Sequence, residues 1–246
     1  MNYIVLGLAI VIIVLIVVLY IYFTNKATTL VSSTALTKPA PAIPINNPTS
    51  TRYAYGLWIN INTWSKECTH IIFSVSNSLV LYLSPNTPAL YCDVVMSDNK
   101  VQTVTITDNF PLQKWTHIIV SMDNQFMDIY MNGKLLISQR LYKPAGATAS
   151  DISAQPAAPG KGAEVTVGGS LAKWTVGNKY PINNTAKGES FDAFITKFIR
   201  WTEPMDPQTA WTTYMGGSGS SFSATTYNLN MNLLKNNVQT STLSLF

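Results

Sequence analysis

The sequence predicts an all-β protein: an antiparallel β-sandwich with one short helix, preceded by a single N-terminal transmembrane helix. Three observations carry this reading. Residues 3–23, YIVLGLAIVIIVLIVVLYIYF, form an apolar run without a charge. From Tyr53 onward, short strand-like runs recur, each bounded by Asn, Ser, Pro, Gly or Asp. A helix signature occurs once more, near the C-terminus, in DPQTAWTTYMGG.

About 20 apolar residues in a helix cross the hydrocarbon core of a bilayer, and residues 3–23 meet that length. Tyr20, Tyr22 and Phe23 fall where an interfacial aromatic belt would lie. A cleaved signal peptide fits poorly, because the run is too long, lacks a basic leader and is followed by no small-residue cleavage site. The nearest charged side chain, Lys26, lies on the C-terminal side and places the large C-terminal part in the cytosol by the positive-inside tendency. Residues 24–51 carry Pro39, Pro41, Pro44 and Pro48 among Thr, Ser and Ala. Such a composition predicts an extended spacer that buries no core and holds the following domain, residues 52–246, off the bilayer.

Within that domain, YAYGLWINI, HIIFSVS, LVLYLS, LYCDVVM, VQTVTIT, WTHIIVSM, FMDIYM and KLLISQRL read as successive strands. Alternation places Ile118, Val120 and Met122 on one face, and Met127, Ile129 and Met131 on another shared face, as core positions. Asn132-Gly133 is the strongest hairpin signal, since a type I′ turn needs positive φ at both central residues. Asp123–Gln125 is a second turn. Residues 143–163 form an Ala/Pro/Gly-rich low-complexity loop without periodicity. EVTVGG and FDAFITKFIRW resume strand character. Asp206 then caps a short helix, with Pro207 at its first position and Gly216 as its stop. In the tail, residues 217–246, YNLNMNLL alternates Tyr, Leu and Met with Asn as a half-buried strand.

Composition limits the function classes. Charged residues make up 11% of the chain, and the net charge of +4 is spread singly, so no basic stripe exists to track a phosphate backbone. This excludes nucleic acid as a partner. Cys68 and Cys92 are the two cysteines. A meander of residues 71–75, 79–84 and 90–96 separates them by more than the roughly 7 Å that a disulfide spans between Cα atoms. Two free thiols suit a reducing compartment.

FPLQKWTHIIVSMDNQFMDIYMNGKLL (110–136), VTVGG (165–169) and FDAFITKFIRW (191–201) resemble the W-x-H strand, Y-x-N-G hairpin, G-G strand and closing strand of the concanavalin A-like lectin/glucanase superfamily, in its laminin G-like jelly-roll branch. The resemblance runs from about Tyr53 to Met215. More narrowly, RWTEPMDPQTAWTTYMGGSG and the Asn-rich tail behind an N-terminal anchor resemble virion proteins of large double-stranded DNA viruses with an internal membrane. Together they imply a non-enzymatic minor capsid protein. It would sit in the lipid membrane through residues 3–23 and bind other capsid proteins with its C-terminal domain on the cytosolic or capsid side. A lectin-like, carbohydrate-binding protein for host-surface attachment is the alternative.

No catalytic, cofactor or metal constellation stands out. Glucanases of the superfamily place acids as E-x-D-x-x-E on one strand, so that two carboxylates flank a glycosidic bond. The chain has twelve acids and no such spacing; Glu189 and Asp192, three apart, point to opposite faces of a strand. His70 and His117 are isolated, and no paired His or Cys spacing for zinc occurs. Asp123, Asn124 and Asp128 are weak calcium candidates, better explained as turn formers. Among the aromatics, most fall in strand patterns as core, and only Trp64 and Trp174 fall in loops as the carbohydrate-contact candidates.

Overall fold

A computed structural model describes residues 3–24, 27–37, 41–64, 69–84, 87–144, 152–168, 192–219, 230–235 and 238–244. Helix α1 (Tyr3–Thr24) opens the chain. The sandwich strands are β1 (Ala27–Ala35), β2 (Ile43–Pro44), β3 (Arg52–Ile61), β4 (His70–Val75), β5 (Leu79–Leu83), β6 (Leu90–Val95), β7 (Val101–Thr107), β8 (Thr116–Asp123), β9 (Phe126–Met131) and β10 (Lys134–Arg140). A small pair, β11 (Lys143–Pro144) and β12 (Ile152–Ala154), precedes β13 (Glu164–Val167) and β14 (Ala193–Trp201). Helix α2 (Pro207–Met215) and a terminal hairpin, β15 (Asn230–Lys235) and β16 (Val238–Ser244), complete the described elements.

Two six-stranded antiparallel sheets face one another, ordered β1-β14-β3-β8-β9-β10 and β2-β13-β4-β5-β6-β7. Alternation along β3 explains the layering. Tyr53, Tyr55, Leu57, Ile59 and Ile61 enter the main core, and Ala54, Gly56 and Trp58 point to the other side. The faces expected for β8 and β9 are the ones observed: Ile118, Val120, Met122, Met127 and Ile129 are in the core, with Met131 packed at its margin. On the outer face of the same sheet, α2 makes a second, smaller core from Ala54, Ile119, Tyr130, Met205 and Ala210, with Trp201 beside it. Gly56 is required there, because a Cβ would lie 2.8 Å from the Trp201 ring.

The turn chemistry is as expected. Asn132 and Gly133 adopt φ of 51° and 75°, a type I′ hairpin between β9 and β10. Asp206 accepts from the Thr209 N–H at 2.9 Å, Pro207 starts α2, and Gly216 caps it.

Three expectations need correction. Residues 24–51 are not a free spacer: β1 pairs along its length with β14, and β2 pairs with β13. Leu36 and Ile45 are buried in the core, and their N–H groups donate to Ala193 O (2.8 Å) and Ala163 O (3.0 Å). Proline does not prevent this, because β2 is an edge strand, where a missing N–H can face away from the ladder. Residues 143–163 are likewise not a structureless loop. They carry β11 and β12, and Ser97 N and Ala157 N donate to Gln155 O and Val95 O at 2.7 and 2.8 Å. Ala and Pro suffice because the backbone makes these contacts. The tail strand pairs with β16 as a separate two-stranded sheet, among the described residues, and is not added to either large sheet; residues 227–229 of the predicted strand lie outside the described residues.

Helix α1 has 22 residues, about 33 Å at 1.5 Å per residue. Among the described residues, no helix is long and apolar enough to cross a membrane. Only two residues separate Thr24 from Ala27, so at most about 11 Å of chain joins helix to sandwich.

Candidate functional site

The site is built on an irregularity in β14. Between Thr196 and Ile199 the register against β3 slips by one residue, and β1 slips opposite it between Thr29 and Val31. Lys197 sits in the slip with φ of 48°. Positive φ in a β-strand costs a non-glycine residue of order 1 kcal/mol or more and persists only where surrounding contacts hold it. Here the contacts are visible: Lys197 Nζ donates to Gly216 O and Gly217 O, both at 2.8 Å. The strand thus supplies the cation that the last turn of α2 lacks within its own sequence. Thr196 Oγ1 donates to Ser218 O at 2.6 Å, fastening the segment after α2 to the same bulge.

This arrangement opens a groove of about 500 Å³ beside the bulge. Trp115, leading into β8, and Phe194 of β14 supply its apolar wall, with Phe194 42% exposed. Thr29, Ser32 and Ser33 of β1 and Ser218 supply hydroxyls around it. No carboxylate is among its described lining residues. Aromatic faces beside a rim of hydroxyls suit a ligand with apolar C–H faces and many hydroxyls of its own.

The described residues singled out from the sequence lie elsewhere. Trp64 is half-buried against the main core, with its ring edge-on to His70 at 4.6 Å, and does not line the groove. Trp174, Glu189 and Cys68 lie outside the described residues. Asp123 holds Arg52 at 3.1 Å and accepts from Asn124 Nδ2 at 3.1 Å, while Asn124 takes the positive φ of the β8–β9 turn. Asp128, on β9, lies across the ladder from Ser121 and Ser138. Among the described residues, no group of three or more His, Cys, Asp or Glu side chains is placed to hold a metal ion. Asp192 accepts from Asn62 Nδ2 and Thr63 Oγ1, both at 3.0 Å, and so ties down the end of β3. Sequence reasoning missed Trp115 and Phe194. A strand pattern does not reveal which aromatic is left uncovered where an edge strand slips.

Two buried titratable groups frame the fold. Burial and the nearby Lys197 charge push His117 down to about 4. Its ring lies 5.0 Å from Trp58, which stacks on Tyr214 of α2 at 5.4 Å. Burial, with the Asp93 charge beside it, pushes the Cys92 thiol upward; Cys92 is free and buried.

Comparison with known proteins agrees with this architecture. A laminin G-type family model, described as concanavalin A-like lectin/glucanases superfamily, matches residues 37–171, more than half of the chain. The match begins inside the supposed spacer and so includes Ile43–Pro44. No curated protein matches the chain in sequence. Among solved structures, the receptor-binding domain of botulinum neurotoxin mosaic serotype C/D is similar at 12% identity and a TM-score of 0.52, over 78% of this chain and 45% of that one. The serotype D ligand-binding domain in complex with N-acetylneuraminic acid is similar at 13% identity and a TM-score of 0.51, over 78% and 44%. The chain thus spans less than half the length of these structures, and at such identities the likeness shows the fold alone.

Proposed function

Because the chain belongs to the concanavalin A-like lectin/glucanases superfamily, we propose that it is a non-catalytic, lectin-like binding protein whose groove beside Lys197 takes a neutral sugar. The observation that carries this is the meeting of Trp115 and Phe194 with the hydroxyls of β1 in one groove. A glycosidase needs two carboxylates across the scissile bond, and none of the described lining residues is acidic. Lys197 directs its ammonium to two helix-end carbonyls, which favours an uncharged ligand over an acidic sugar.

Helix α1 would hold this domain at a membrane, supported by the uncharged run of residues 3–23. With at most about 11 Å of chain between helix and β1, the sandwich would lie against the bilayer surface on the cytosolic side that Lys26 favours. The minor capsid role, tying an internal virion membrane to its shell through capsid partners, draws on the narrower sequence resemblance alone. The incorporation of β1 and β2 into the sandwich removes the long reach on which that role depended.

The test is a glycan array of neutral and acidic sugars probed with the wild-type chain, Trp115→Ala and Phe194→Ala. Neutral-sugar binding that falls about tenfold or more in each variant, or about 1.4 kcal/mol, with unfolding temperatures little changed, is the expected result. Binding that survives both substitutions, or a preference for acidic sugars, would overturn the assignment.

A further inference from the structure

A second groove, away from the sugar site, lies at the opposite edge of the same sheet. Strand β10 is its last strand, and no strand pairs with its outer edge among the described residues. Leu135 and Leu136 are 50% and 43% exposed, and α2 places Trp211 (46%) and Met215 (64%) nearby. Leu135, Leu136, Trp211 and Tyr214 line one groove of about 460 Å³ with Lys134 at its rim. Consecutive strand residues normally face opposite ways. A register slip between Leu135 and Ile137 inserts Leu136 as an extra residue and brings both leucines to the same groove.

The groove is preformed. Tyr214 is stacked on Trp58, and Trp211 packs on Tyr214 at 5.6 Å. A Cβ at Gly133 would lie 2.9 Å from Trp211, so the hairpin tip is seated directly beneath α2. An edge that needed only protection from aggregation would carry charges at these positions rather than two leucines.

Charge selects the occupant. β10, KLLISQR, holds Lys134 and Arg140 at its ends and no acid. Gln125 Oε1 accepts from Arg140 Nε and one terminal nitrogen at 3.0 and 2.9 Å, and the guanidinium lies over Tyr142. A second copy paired antiparallel about Ile137 would oppose Lys134 to Arg140, like against like. A lipid surface would leave the outward N–H and C=O groups of β10 unsatisfied. We propose that the β10 edge accepts an extended segment of a protein partner as an added strand, with acidic residues at its ends and an apolar pair between them. Main-chain bonds would supply the pairing and the Leu135/Leu136/Trp211 groove the selectivity.

The experiment uses the full chain in detergent micelles and immobilised strand-forming peptides bearing two central apolar residues, with acidic ends in one set and basic ends in the other. The expected result is preferential binding of the acidic-ended peptides and slowed hydrogen exchange of the β10 amides in the complex. A Leu135→Ser/Leu136→Ser double variant should lose binding by about tenfold or more without a marked change in unfolding temperature, because both side chains are exposed. Equal binding of the two sets, no binding of either, unprotected β10 amides, or undiminished binding by the variant would overturn the proposal. So would a dimer, or vesicle binding, that the same substitutions abolish.

Discussion

Replacing Leu36 by Ala distinguishes a stretch of chain that belongs to the sandwich from one that merely leads to it. Leu36 is 3% exposed within the main core, and its Cδ2 lies 3.2 Å from where a Cβ on Gly168 would stand. Its N–H is held by Ala193 O, so the backbone cannot easily collapse to fill the space left by a shorter side chain. Leu→Ala at such a site costs about 2–5 kcal/mol, the lost transfer energy plus a cavity. Taking about 3 kcal/mol, and roughly 2–4 °C per kcal/mol for a domain of this size, the unfolding temperature should fall by about 6–12 °C. A residue in a solvated spacer would change stability by no more than about 0.5 kcal/mol. Thermal and urea unfolding of wild type, Leu36→Ala and the exposed control Thr37→Ala, followed by circular dichroism, measure the difference. A shift below about 2 °C for Leu36→Ala, or equal shifts for both variants, would refute the reasoning.

Two further outcomes follow from the buried titratable groups. His117, held at about 4 by burial and Lys197, binds its proton later than the unfolded chain does, near 6.5. Its contribution is therefore fully present above about pH 6.5, falls as pH drops towards 4 and levels off below. His117→Phe keeps a ring against Trp58 and should lose less stability between pH 7 and 4.5 than wild type, by about 2 kcal/mol. Parallel pH profiles in chemical denaturation would contradict this. Cys92, buried with its thiol pushed up by burial and Asp93, should resist alkylation at pH 8 in a Cys68→Ser background until denaturant is added. Rapid labelling of the folded protein would show that the site is open.

Much of the sandwich was determined by the sequence alone, because the information is local there. The alternation of β3, β8 and β9 marks its own buried face. Asn132-Gly133 specifies a turn by the φ values that only such residues tolerate cheaply. Asp206, Pro207 and Gly216 bracket α2 by capping groups within one turn of its ends. The tertiary structure alone decided what happens at the edges. ATTLVSSTA is too polar to announce a strand, and β1 forms because β14 offers it a ladder of backbone partners. Ile43–Pro44 lies in a proline-rich stretch and pairs for the same reason. Both candidate grooves arise where a register slips, at Lys197 and at Leu136, and they gather residues as far apart as Ser33 with Phe194 and Leu135 with Trp211. Periodicity reports which face of a strand is buried. It is blind to the slips and long-range pairings that leave an aromatic or a leucine uncovered, because those depend on which distant strand completes the sheet.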